Sequence, residues 1–214
     1  MLAEGERSCQ IRLEECSGLS CVSNTCAAGR DDGGQGKYTP QVGFILRRSE
    51  IAAKYEGMHE VPLDVCGADS QGAIGYMLQQ TLQNELISRG IQKSVATVVT
   101  QVKVDKNDKA FKNPTKPIGS FMEEEEAKKR EKEMGWTVVE DAGRGWRRVV
   151  ASPIPQEVVE IEPVRALLGA GVVVVTVGGG GIPVVDDGKG GNVGVAAVID
   201  KDYASSLLAT LINA

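Results

Sequence analysis

Val172, Val173, Val174, Val175, Thr176 and Val177 form an unbroken β-branched run that stops against four glycines, Gly178, Gly179, Gly180 and Gly181. Branched side chains crowd a helix and pack well on a pleated sheet. Six in succession without polar alternation predict a strand buried on both faces, as in the middle of a parallel sheet. In α/β sheets, ligands bind beyond the carboxyl ends of such strands. Glycine there lets the backbone come close to an anion and turn N–H groups toward it, which a Cβ atom would obstruct. The loop contains neither Gly-x-x-x-x-Gly-Lys-Ser/Thr nor a Gly-x-Gly-x-x-Gly opening a helix, which argues against a P-loop and a dinucleotide fingerprint. Alone, it fits an unliganded turn equally well.

Helical periodicity supplies the other layers of an α/β fold. Val42, Ile45, Leu46, Ala52 and Ala53 recur at helical spacing over residues 41–55, with Arg47, Arg48 and Glu50 expected in water. A second helix is predicted from Asp69 or Ser70, either of which could cap it, to a stop before Gly90. Its buried stripe would be Ile74, Met77, Leu78, Leu82 and Leu86. Residues 95–104 alternate as a half-buried strand does. Residues 105–120 read as a polar loop carrying Pro114 and Pro117. The run from Glu123 to Arg130 offers Glu124/Lys128, Glu125/Lys129 and Glu126/Arg130 in the favourable i,i+4 order, as in a solvated helix. Residues 136–140 and 146–150 read as a small hairpin appended to the main sheet. Helices over 162–168 and 202–211, around the buried strand at 172–177, complete a βα alternation, and residues 193–199 are apolar enough to be buried.

The 214 residues suffice for one large domain, or a domain carrying a subdomain. A net charge of −5, with basic residues mixed among acids, argues against a nucleic-acid partner. No apolar segment reaches the roughly 18 residues of a membrane span. Of five cysteines, Cys9, Cys16, Cys21, Cys26 and Cys66, none forms a Cys-x-x-Cys pair, and the one histidine, His59, is remote. No zinc site is expected; reduced thiols in a cytoplasmic protein are. Residues 1–39, rich in Gly, Ser and charge, show no periodicity that could bury a face and are expected to be poorly ordered.

Several motifs then occur in one order: Pro40-Gln41-Val42-Gly43, Asn113-Pro114-Thr115-Lys116-Pro117-Ile118-Gly119, Glu140-Asp141-Ala142-Gly143-Arg144-Gly145-Trp146-Arg147, Ser152-Pro153-Ile154-Pro155, the glycines before Ile182-Pro183, and Ala197-Val198-Ile199-Asp200-Lys201-Asp202. Together they resemble the carbamate kinases of the amino acid kinase superfamily, from Pro40 to Ala214. That resemblance implies a three-layer αβα sandwich with a protruding subdomain at about residues 105–150. It also implies a homodimer and reversible phosphoryl transfer between ATP and carbamate, giving ADP and carbamoyl phosphate, with Mg²⁺. By motif match, Lys116 is the lysine lent by the subdomain, held stiffly before Pro117. Lys201 would contact phosphate and Asp202 would orient the lysines. Pro40, Gln41, Gly43, Gly178, Gly179, Gly180 and Gly181 would bind substrate, and the protein itself would supply no metal site.

Two departures accompany the resemblance. The family begins with a strand leading into a Gly-Gly-Asn loop, which residues 1–39 do not contain, and Lys37-Tyr38-Thr39 stands where the family has Gly-Asn-Gly. The family also continues past the position of Ala214 into a nucleotide-base pocket. The alternative expectation is therefore a truncated or noncatalytic relative that only binds or dimerises, through the helix at 69–89.

Overall fold

The computed structural model describes residues 21–23 and 42–214. Its elements are β1 (Cys21–Ser23), α1 (Val42–Glu56), α2 (Leu63–Ser88), β2 (Val95–Thr97), β3 (Gln101–Val104), β4 (Lys116–Met122), α3 (Glu124–Met134), β5 (Thr137–Glu140), β6 (Trp146–Val150), β7 (Pro155–Val158), α4 (Ile161–Gly169), β8 (Val173–Thr176), β9 (Ile182–Asp186), β10 (Asn192–Gly194) and α5 (Lys201–Ile212).

The valine run does what its composition requires. Val173 and Val175 pack with Val95, Leu82 and Leu86 on the α2 side. Val174 points the other way, into the cluster of Val164 from α4 and Ala204, Leu208 and Ile212 from α5. One strand thus separates two apolar layers, the arrangement of a three-layer αβα sandwich. β8 lies between β1 and β2, parallel to both. A second sheet has the order β10-β9-β3-β7, with β9 parallel to β3. The chain passes from β2 to β3 through residues 98–100, and from β8 to β9 through the glycines. Both parallel pairs therefore break at one level, where Val98 N–H donates to Val175 O (2.9 Å) and Ile182 N–H to Thr100 O (2.9 Å).

A small antiparallel subdomain, the sheet β4-β6-β5, is covered by α3, in which Ala127 is fully buried. The β5/β6 hairpin forms as expected but is not appended to the main sheet, because β6 pairs with β4 in a separate sheet; the solvated α3 matches the expectation, with Arg130 paired to Glu126 at 2.7 Å. Residues 116–120 are not loop. They belong to β4, because its backbone pairs with β6 from Lys116↔Val150 to Ile118↔Arg148. Cations lie over the subdomain's aromatic rings, with Arg130 and Arg148 at 5.0 and 4.6 Å from the Trp136 centroid.

Several expectations are corrected. The helix expected from Asp69 or Ser70 starts at Leu63, after Pro62. Met77 is exposed, and the buried stripe of α2 includes Gln71 and Gly75. Gln71, Gly75, Gln79 and Gln83 recur every fourth residue and face the open edge of β2. The side-chain oxygens of Gln71, Gln79 and Gln83 accept the N–H groups of Thr100, Thr97 and Val95 at 2.8, 2.9 and 3.0 Å. Thr97 Oγ1 in turn donates to Gly75 O at 3.0 Å. A polar helix face here closes a sheet edge. Glu50 is buried rather than in water, because Arg47 (3.4 Å) and Arg148 (3.3 Å) reach its carboxylate. The half-buried strand at 95–104 is two strands, and within 193–199 only Ala197 and Ile199 are buried. The expectation for residues 1–39 lies outside the described residues apart from 21–23, which form a strand beside β8.

Candidate active site

The glycines follow β8 through a residue that itself departs from strand geometry: Val177 has φ +62°. Gly178, Gly180 and Gly181 continue with φ of +52°, +139° and +84°. These positions admit no side chain. A Cβ on Gly178 would collide with the Gln71 stem, one on Gly180 with Ile199 O, and one on Gly181 with Val102. The N–H groups of Gly180 (3.0 Å) and Gly181 (2.6 Å) both turn back to Val177 O. Among the described residues, the N–H groups of Gly178 and Gly179 have no such partner. The loop therefore divides into two glycines that close the turn, the buried Gly178, and Gly179, which is exposed and lines the neighbouring cavity. Beside it lies a cavity of about 30 Å³ lined by Val42, Ser70, Gln71, Gly179, Gly181 and Ile199, room for about one water.

Because Gly180 lies against Ile199, the loop abuts the start of α5. Asp200 caps that helix: its Oδ1 accepts the N–H of Asp202 at 2.9 Å. Its other oxygen accepts from Lys116 Nζ at 2.8 Å. The lysine comes from the first residue of β4, so the subdomain is joined to the α5 N-terminus by this ion pair. A parallel bridge Ala151↔Ala197 and the bond from Val198 N–H to Ala151 O (2.9 Å) bring the two segments together. The Lys116 ammonium, then the Asp202 N–H, holds the Asp200 carboxyl below the ordinary aspartate range.

Lys201 and Asp202 occupy the first turn of α5 on the solvent side. Lys201 Nζ donates to Asp202 Oδ1 at 2.8 Å, which raises the lysine pKa, and the Asp202 side chain is 73% exposed. Among the described contacts Asp202 orients Lys201 alone, while Asp200 holds Lys116. The signal for Asp200 was legible, since an Asp just before a helix is a preferred N-cap. The pairing with Lys116 was not. Gly43 lies apart from the loop: it is buried where α1 meets β4, and a Cβ there would strike Gly119 N. Its neighbour Val42 reaches the cavity. Pro40 and Gln41 lie outside the described residues. His59 is exposed.

Lys116 and Lys201 thus bring two ammonium groups, each paired with a carboxylate, to the head of α5, and phosphoryl transfer calls on cations of this kind to neutralise and align the transferred group. Among the described residues no group of three or more His, Cys, Asp and Glu could cage a metal ion. The carboxylates at 200 and 202, each paired with a lysine, are oxygen donors of the type that Mg²⁺ takes when it arrives with nucleotide phosphates.

Known proteins resemble this chain closely. It is 55% identical to the carbamate kinase of Pyrococcus horikoshii over 175 residues, 82% of this chain and 55% of that protein. It is 59% identical over 176 residues to the carbamate kinase-like protein YqeA of Escherichia coli K12, covering 82% of this chain and 56% of that protein. Carbamate kinase from Giardia lamblia bound to AMP-PNP superposes with a TM-score of 0.71 at 46% identity, over 82% of this chain and 55% of that one. A crystal structure from Aeropyrum pernix K1 gives 0.78 at 36% identity, over 92% and 59%. No family model matches. The chain spans a little over half the length of the curated relatives it matches.

Proposed function

The matched 82% of this chain belongs to the carbamate kinase family, and from that premise we propose that its site serves phosphoryl transfer between ATP and carbamate. The observation that carries the reading is the meeting of Lys116, from a separate subdomain, with Asp200 at the head of α5 and beside the glycine loop. An ion pair between residues 84 positions apart is not a local accident of either element.

In the forward direction a carbamate oxygen attacks the γ-phosphorus while the bond to the β-phosphate oxygen breaks and ADP departs. Carbamate is already anionic, so no general base is called for. Lys116, released from Asp200 as the phosphoryl group enters, and Lys201 neutralise its oxygens. The N–H groups of Gly178 and Gly179 hold the acceptor. Asp200 keeps Lys116 aimed at the loop in the unliganded state, and Asp202 restrains Lys201. Mg²⁺, when bound with ATP, adds charge neutralisation at the phosphates, with the carboxylates at 200 and 202 the groups able to reach it.

Two further parts of the reading concern assembly and setting. The chain pairs with a second copy through α2, on which Tyr76, Met77 and Ile87 are 62%, 44% and 65% exposed. It works in the cytoplasm, in keeping with cysteines that lack pair spacing.

The test is ATP formation from ADP and carbamoyl phosphate in a coupled assay, alongside melting with millimolar Mg-ATP. A ligand specific for the native state must raise the melting temperature. ATP formation that Lys116→Met abolishes supports the proposal. No ATP formed and an unmoved melting temperature would overturn it in favour of a noncatalytic relative.

A further inference from the structure

The backbone that leads into Gly178 and Gly179 is held in a conformation its first residue resists. Val177 is fully buried and β-branched, yet sits at φ +62°, where a branched side chain is a strained outlier. Such a conformation persists only where its surroundings over-determine it.

Three of the five buried polar or charged residues among those described supply that constraint: Gln71, Thr100 and Thr176. Thr100 Oγ1 accepts the Val177 N–H at 3.0 Å, and lies 2.8 Å from Val98 O and 2.7 Å from Thr176 Oγ1. A threonine hydroxyl satisfies all three by donating to Val98 O and accepting from the other two. Gln71 fixes Thr100 from outside: its Nε2 donates to Thr100 O at 3.0 Å, and its Oε1 accepts the Thr100 N–H at 2.8 Å. The same glutamine stem fills the space beside Gly178. Val177 O then takes both inward-turned glycine N–H groups. An unbroken series of contacts thus leads from α2 through Thr100 to the loop.

We propose that Thr100, seated by Gln71, is a positioning residue for the anion-binding loop: its hydroxyl holds Val177 in the left-handed region and so sets the direction of the N–H groups of Gly178 and Gly179. The role in ligand binding rests on the loop serving the site described under Proposed function; the role in loop conformation stands on its own.

The test uses the full chain labelled with ¹⁵N, the variants Thr100→Val and Thr100→Ser, and inorganic phosphate as the probe. Valine keeps the shape and removes the hydroxyl; serine keeps the hydroxyl. In unliganded spectra the amide signals of Gly178, Gly179, Gly180 and Gly181 move in Thr100→Val and stay close to wild type in Thr100→Ser. Phosphate binding, read from the same signals, weakens about tenfold in Thr100→Val, as for the loss of one buried hydrogen bond, and is retained in Thr100→Ser. Unmoved glycine signals in a folded Thr100→Val would overturn the proposal. Wild-type glycines that ignore phosphate would instead refute the ligand reading of the loop, and leave the positioning claim to the unliganded spectra. Should Thr100→Val unfold, the comparison moves to a Val177→Gly background, where φ +62° carries no side-chain strain. There the double variant is expected to fold with its loop signals in place, and its failure to do so counts against the proposal.

Discussion

The ion pair between Lys116 and Asp200 can be measured in isolation, because the two roles of Asp200 are separable. Asparagine caps a helix about as well as aspartate, so Asp200→Asn retains the bond to Asp202 N–H and removes the charge. Lys116→Met removes the other partner with little change in stem length. At 2.8 Å the direct attraction in a medium of effective dielectric near 20 is about 6 kcal/mol. Both side chains keep about a third of their exposure, 31% and 33%, so desolvation and ordering offset most of that, leaving about 1 kcal/mol of coupling. For a chain of this size that corresponds to roughly 2–4 °C in melting temperature. The coupling is read from a double-mutant cycle in urea. Since the Asp200 carboxyl titrates below the ordinary aspartate range in the folded state, its contribution is complete above the unfolded carboxylate pKa, near 4. It is lost as pH falls through the lowered folded value. One molar salt reduces it as well. A coupling near zero at pH 7, or one unchanged on acidification, would refute the pairing.

Other outcomes follow from the packing. Glu50→Gln leaves the half-buried Arg148 without its counter-charge and is expected to cost about 2 kcal/mol. Arg47→Ala, on the exposed side of the same carboxylate, costs under about 1 kcal/mol; equal losses in urea melts would contradict this account. Gly181→Ala forces a Cβ toward Val102 at φ +84°, and should destabilise by about 2–4 kcal/mol, with thermal melts as the check. Gln79→Ala strands the Thr97 N–H at the edge of β2 and is expected to cost about 1 kcal/mol, with faster hydrogen exchange confined to that amide's neighbourhood. The Cys66 thiol is fully buried, and burial, then Asp69 and Asp64, pushes its pKa up. Iodoacetamide at pH 8 should label it only on unfolding; prompt labelling of the native chain, read by peptide mass spectrometry, would show the burial to be wrong.

Local patterns carried a large part of the fold. The valine run fixed a two-sided strand, because no alternation left either face for water. Gly90 ended α2 and Gly135, at φ +65°, ended α3, because both occupy conformations that other residues resist. The charge run over α3 and the hairpin after it were equally plain. Errors arose where a polar residue's partner was distant. Glu50 looked solvated because nothing near it in sequence announced Arg148, 98 residues away. The glutamines of α2 interrupted the apolar stripe and shifted the expected burial to Met77, since a helix face that binds a strand edge has no hydrophobic signature. β4 escaped notice because its pattern is broken by Pro117 and Gly119.

The candidate site divides along the same line. Sequence alone determined that glycines follow a buried strand and that lysines stand at 116 and 201, because residue type and short-range spacing are local properties of the chain. Tertiary structure decided that Asp200 holds Lys116, that Asp202 faces water, that Gly43 serves a helix contact, and that Thr100 braces the loop. Each depends on where a side chain finds its complement across the fold, and hydrogen bonds and ion pairs form by distance in space, to which sequence separation gives no guide.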